Sequence, residues 1–157
     1  MPQANETIIY PFTAFNFSVE INVDPIAPKL CSASFQECDG LDMSMEVKTI
    51  REGGNNGKEI RLTGGFKYGQ LTMKRGMTST FDLWNWFNLM LANPSLRAKA
   101  QVIIFANNGT TERARFVLSR CVPVKLKSPP LSAKDGAVAI EELQLAYETL
   151  TLKKPQG

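Results

Sequence analysis

Residues 43–92 read MSMEVKTIREGGNNGKEIRLTGGFKYGQLTMKRGMTSTFDLWNWFNLMLA, and the fold turns on them. Met43, Met45 and Val47 alternate with Ser44, Glu46 and Lys48, the period of a strand with two unlike faces. Thr49-Ile50-Arg51 then runs into Glu52-Gly53-Gly54-Asn55-Asn56-Gly57, residues that accept positive φ and make a long polar loop inexpensive. Glu59–Leu62 predicts a short returning strand, and Thr63-Gly64-Gly65 predicts a second turn. From Tyr68 to Arg75 a further strand turns Leu71 and Met73 inward and Gln70, Thr72 and Lys74 outward.

The same stretch holds the one persuasive helix. Thr78-Ser79-Thr80 offers hydroxyl caps, Asp82 places a carboxylate in the first turn, and Asn93-Pro94 ends the run. A helix over Phe81–Ala92 (about 80–92) is apolar nearly all round, with only Asp82, Asn85 and Asn88 polar. A helix lying on its own domain shows one apolar stripe, so this pattern predicts that a second surface covers it.

Strands continue on both sides. Phe15–Val23 alternates apolar odd positions with Asn16, Ser18, Glu20 and Asn22. Leu30–Glu37 alternates again and ends at an Asp39-Gly40 turn. Lys99–Ala106 is apolar on both faces in its middle, and Asn107-Asn108-Gly109 predicts a hairpin into Glu112–Cys121. Lys125–Gly136, with Pro129-Pro130, reads as a loop. The last strand, Ala137–Leu152, shifts its apolar parity at Glu141-Glu142 and near Thr149, which predicts bulges or a corner. The fold class is mainly β: a single antiparallel β-barrel or sandwich over residues 1–157 with one lateral helix, and extended tails at 1–10 and 153–157.

Candidate chemistry is sparse. The 157 residues contain no histidine, which removes Ser-His and Cys-His nucleophiles and the commonest transition-metal ligand. Gly53-Gly54 and Gly64-Gly65 lack the lysine and hydroxyl residue of a phosphate loop and read as hairpin turns. Glu141 and Glu142 are adjacent on a strand, so they point apart and cannot flank one substrate; a solvated or interface role fits them, with Asp135, better. Trp84 and Trp86 do not share a helix face, which favours core or subunit contact over base stacking. The net charge of +3 is scattered rather than clustered, against a nucleic-acid surface. Neither catalytic residues, cofactor nor metal site is expected. The start of the chain lacks the basic-then-apolar pattern of a secretory signal, so folding in the cytoplasm is expected. Cys31, Cys38 and Cys121 are then expected to be reduced.

Several pieces, in order, carry a resemblance. They are Tyr10-Pro11 before Phe15–Val23, Cys38-Asp39-Gly40-Leu41, Arg51-Glu52-Gly53-Gly54-Asn55, and Lys67-Tyr68-Gly69 with Leu71–Gly76. Leu83-Trp84-Asn85-Trp86-Phe87 and Ala137–Leu143 complete the series. With these the chain resembles the inner tube proteins of contractile injection systems, which include contractile-phage tail tubes and extracellular phage-tail-like particles. Ser95–Ala100 departs from the glycine-rich turn of that pattern.

The resemblance implies hexameric rings stacked into a hollow tube, inside a sheath and between baseplate or spike and terminator proteins. Cargo protein or DNA would pass through the lumen, with no direct membrane insertion, and the final location would be a virion tail or an extracellular particle. It implies a ring-stacking loop at Arg51, Glu52, Gly53, Gly54, Asn55 and Asn56. It also implies a protomer-interface helix presenting Phe81, Trp84, Trp86, Phe87 and Met90. A tube-initiating paralogue at the baseplate, and a monomeric β-barrel ligand-binding module, remain the alternatives.

Overall fold

The computed structural model describes residues 16–24, 27–51, 53–54, 57–134, 136 and 138–155. The Tyr10-Pro11 pair, Phe15, Asp135 and Ala137 lie outside the described residues, as does the tail at 1–10.

Among the described residues, ten strands and one helix follow in chain order. They are β1 (Phe17–Val23), β2 (Ala27–Ala33), β3 (Glu37–Asp39), β4 (Met43–Arg51), β5 (Glu59–Tyr68), β6 (Gln70–Gly76), α1 (Asp82–Ala92), β7 (Ala98–Phe105), β8 (Glu112–Lys127), β9 (Ile140–Ala146) and β10 (Thr149–Lys153). All pairings are antiparallel. Among the described residues, eight strands form one sheet in the order β2-β1-β7-β8-β9-β6-β3, with β10 also on β8, while β4 and β5 pair only with each other.

The sheet folds over on itself along β8, which is longer than the strand expected to end at Cys121 and continues through Pro123 to Lys127. Its first half pairs with β7 and β10, its second half with β9. At the corner Arg120 adopts φ 51°, and its side chain pairs with Glu148 at 2.8 Å. Opposite it, Tyr147-Glu148 interrupts β9 and β10, the break expected near Thr149. Pro123 sits at a register shift, where a missing N–H costs no ladder bond.

The two halves enclose one core. Val19, Ile21 and Val23 meet Ala100, Leu118 and Leu150 from one half and Leu71, Met73, Leu143 and Leu145 from the other, all buried. Helix α1 closes this core with Leu83 and Trp86. Burying side chains of this size stabilises by about 1.5–3 kcal/mol each, which explains why the inward parity is held so strictly.

Three expectations are corrected here. Gly64-Gly65 is not a turn: β5 runs through both residues. The helix begins at Asp82 without a hydroxyl cap, because Phe81 takes the cap position at φ 50° while Thr78 and Thr80 hydrogen-bond each other at 2.9 Å. The parity shift at Glu141 is not a bulge, since the β6–β9 register runs unbroken from Gln70–Ala146 to Gly76–Ile140. Glu141 simply occupies an inward position. The turn after the helix needs no glycine: the Asn93 side chain accepts from the Ser95 hydroxyl at 2.6 Å, and Arg97 donates to the Pro94 and Leu96 carbonyls.

Candidate assembly surface

Helix α1 is fixed to the sheet by a buried charge cluster. Arg75 lies inward on β6, directly opposite Glu141 on β9, and both are almost wholly buried. Arg75 Nε donates to Glu141 Oε1 at 2.8 Å, and its terminal nitrogens form a fork with the Asp82 carboxylate. Arg75 also donates to the Cys31 sulfur at 3.5 Å and lies 5.2 Å from the Phe35 ring centre. One guanidinium therefore joins β6, β9, β2 and the first turn of α1. Burial alone would raise the Asp82 pKa, but the hydrogen bonds and charge of Arg75 outweigh it and hold the carboxyl below its usual range. Burial pushes the Cys31 and Cys121 thiols up to about 12, and Cys38 likewise. The interface role expected of Glu141 is thus corrected: it is the internal partner of Arg75. Strand parity held the clue, because Arg75 extends the inward series Leu71-Met73 and Glu141 precedes Leu143-Leu145.

The helix presents its expected interface residues unequally. Phe81 is half exposed; Trp84, Phe87 and Met90 are half-buried; Trp86 is wholly buried in its own core. Trp86 is corrected to a core residue, with no surface left for a neighbour. The exposed apolar residue at the far end of α1 is Leu91, at 81%. The indole nitrogens of Trp84 and Trp86 are buried without a partner among the described residues.

The largest departure from a self-contained fold is the β4–β5 hairpin. All nine β4 residues are exposed, and so are most of β5. The alternating pattern of β4 implies a covered face, yet nothing among the described residues covers it. Met43, Met45, Val47 and Phe66 stand at 43–64% exposure. Two ion pairs, Arg51–Glu59 at 3.3 Å and Lys67–Glu46, are internal to this arm. Arg51 and Glu59 are the last cross-strand pair, followed by a turn in which Gly54 takes φ 98°. Gly53 and Gly54 therefore form the tip; Glu52, Asn55 and Asn56 lie outside the described residues.

The arm leaves the body through a rigid root. Gly40 has φ 108° and is packed so closely on the Gln70 backbone that no side chain would fit. From the β9–β10 break, the Tyr147 hydroxyl donates to the Gly40 carbonyl at 2.7 Å and accepts from the Asp42 N–H at 3.2 Å. The Gly69 N–H donates to the Asp42 carbonyl at 3.3 Å, and the Tyr68 and Tyr147 rings lie 5.9 Å apart. Nothing in this geometry resembles a reaction centre. No group of three or more metal-ligating side chains occurs among the described residues, and no helix there is long and apolar enough to cross a membrane.

The β body thus carries a projecting, apolar hairpin, and a sequence comparison assigns the chain to a family. The family model for the T4-like virus tail tube protein gp19 matches residues 13–151. The chain belongs to that family. No curated protein sequence matches it. Among solved structures, a chain of the anti-feeding prophage baseplate superposes with a TM-score of 0.82 at 24% identity, covering 94% of this chain and 98% of that one. A chain from the sheath–tube complex of the PVC extracellular contractile injection system, in its extended state, gives 0.78 at 20% identity, covering 98% and 99%. Hcp1 from Salmonella typhimurium gives 0.52 at 12% identity, covering 88% and 87%. The tail-tube family thus accounts for the fold nearly end to end.

Proposed function

We propose that this chain is the repeating subunit of the inner tube of a contractile injection particle. Residues 1–157 act as one tube-protein domain; six copies close a ring, and rings stack into a rigid, hollow tube. A sheath surrounds it, a baseplate and a terminator bound its ends, and cargo fills its lumen. The subunit performs no catalysis. Its task is stiffness and self-recognition, with the mechanical work supplied by the sheath. Assembly takes place in the cytoplasm, and the finished particle acts outside or at the cell surface.

The observation that carries this is a body with a buried core attached to an arm on which Met43, Met45, Val47, Ile50, Ile60, Leu62 and Phe66 are all exposed. Contiguous exposed apolar surface on a folded chain marks an interaction site. Phe81, Trp84, Phe87 and Met90 on α1 supply the contact between protomers within a ring. The tip from Arg51 to Asn56 reaches the adjacent ring.

Light scattering after size-exclusion chromatography, with negative-stain microscopy, tests the proposal. The chain should form rings or rods, alone or when expressed with its particle's other components. A monomer at high concentration in both settings would defeat the proposal and favour a ligand-binding module. Phe87→Ala and Trp84→Ala should each reduce ring formation; wild-type assembly by both would remove the helix from the interface.

A further inference from the structure

The apolar surface of the arm changes sides halfway along it. Cross-strand partners share a face, so Met43–Tyr68 and Met45–Phe66 mark the first face at the base. The next pair is Val47–Thr63, which leaves Gly64 and Gly65 together opposite Glu46. That extra residue on β5 inverts its parity. Leu62 and Ile60, which would otherwise lie under Phe66, emerge on the second face with Lys48 and Ile50. Glycine is required at the inversion: a Cβ on Gly64 would lie 2.9 Å from the Glu46 carbonyl oxygen. Elsewhere each face is polar. The first face ends in Arg61 and the Arg51–Glu59 pair, and the second begins with Ser44 and the Lys67–Glu46 pair.

A two-stranded ribbon cannot offer both patches to one flat partner. We propose that the arm is gripped on opposite faces by two different copies of this chain, one at the base and another at the tip. The inference rests on the tube-subunit function proposed above and specifies how its arm is used. The occupant is a second copy because Arg51, Glu59, Lys67 and Glu46 are paired within the arm, so the two patches ask chiefly for apolar cover. The same chain exposes matching apolar side chains elsewhere, at Phe81, Leu91, Val124 and Leu152. A nine-residue strand reaches about 30 Å, so base and tip stand before different neighbours. The base adjoins the body and meets a copy in its own ring; the tip meets a copy in the next ring.

Two double variants of the full chain separate the contacts. Met45→Ser with Phe66→Ser strips the base, and Ile50→Ser with Ile60→Ser strips the tip. Both sites lie outside the core, so melting temperatures should match the wild type; if a serine pair lowers them, threonine replaces serine and the assembly assay is read the same way. The base pair should reduce ring formation by about tenfold or more, and the tip pair should leave rings but shorten tubes about tenfold. Inserting one glycine after Glu46 gives Gly64 a cross-strand partner, returns Leu62 and Ile60 to the face of Phe66 and should reproduce the tip defect.

Identical defects from the two pairs, or wild-type tube length from the tip pair or from the insertion, would overturn the two-sided grip. Full-length tip-variant tubes that no longer retain a sheath would reassign the tip to the sheath and also overturn it. A wild-type chain that makes neither rings nor tubes would instead overturn the tube function itself.

Discussion

The cluster around Arg75 and the β4–β5 arm lie close in sequence and obey opposite rules. At Arg75 even the charged groups are enclosed: its side chain is 7% exposed, that of Glu141 3% and that of Asp82 17%. On the arm even the large apolar groups are exposed, Phe66 at 64%. The cluster ties β2, β6, β9 and α1 to one another within the protomer, while under the proposed assembly the arm contributes only once another copy covers it.

Substitutions at the two regions should therefore separate stability from assembly. The largest loss is expected from Arg75→Met, which strands the buried Glu141 carboxylate. Breaking such a pair costs about 3–5 kcal/mol, or roughly 10 °C in the melting temperature of the dissociated subunit. Adding Glu141→Leu should restore much of it; a double variant no better than the single would remove the pairing explanation. Trp86→Ala should cost a similar amount, about 3–5 kcal/mol by chemical denaturation, because its whole ring fills the core.

At the boundary of the two regions the effect should be smaller. Tyr147→Phe removes the hydroxyl from the arm root and should cost about 1–2 kcal/mol. Hydrogen exchange at Asp42 and Gly69 should quicken with it, while the core amides stay protected. Unchanged exchange at the root would mean that Tyr147 does not hold the arm.

The acid side of the stability curve probes the cluster alone. Because the folded Asp82 carboxyl titrates below its ordinary value of 3.8, its contribution is complete above that pH and lost as pH falls below it. Asp82→Asn should be less stable than wild type at pH 7, with the gap closing as pH falls below 3.8. A gap independent of pH would assign the loss to packing. The smallest effect belongs to the surface: Leu91→Ala should change subunit stability by less than about 0.5 kcal/mol.

Much of this was legible in the residues. Alternation located the strands from Phe17 to Val23 and from Gln70 to Gly76, and the capless run from Asp82 to Ala92 was recognisably helical. Local pattern could not say which apolar faces would find cover. Met43, Met45 and Val47 alternate as regularly as Val19, Ile21 and Val23, yet only the second set is buried. Alternation reports that a strand has an apolar side, whereas burial depends on partners distant in sequence or on another chain. The same limit hid the Arg75–Glu141 pair, whose members are 66 residues apart. Gly64-Gly65 was misplaced for a related reason: glycine marks both turns and bulges, and only the facing strand decides between them. Trp84 and Trp86 differ by two residues on one helix, and only the position of the sheet beneath sends Trp86 into the core.

The enclosed thiols have a consequence for durability. With burial pushing the Cys31 and Cys121 thiols up to about 12, almost none of either is ionised at neutral pH, and the thiolate is the form that oxidises or exchanges. On the assembly route proposed above, each subunit passes from a reducing interior to an oxidising exterior, and thiols held in this protonated form carry through that step without exchange.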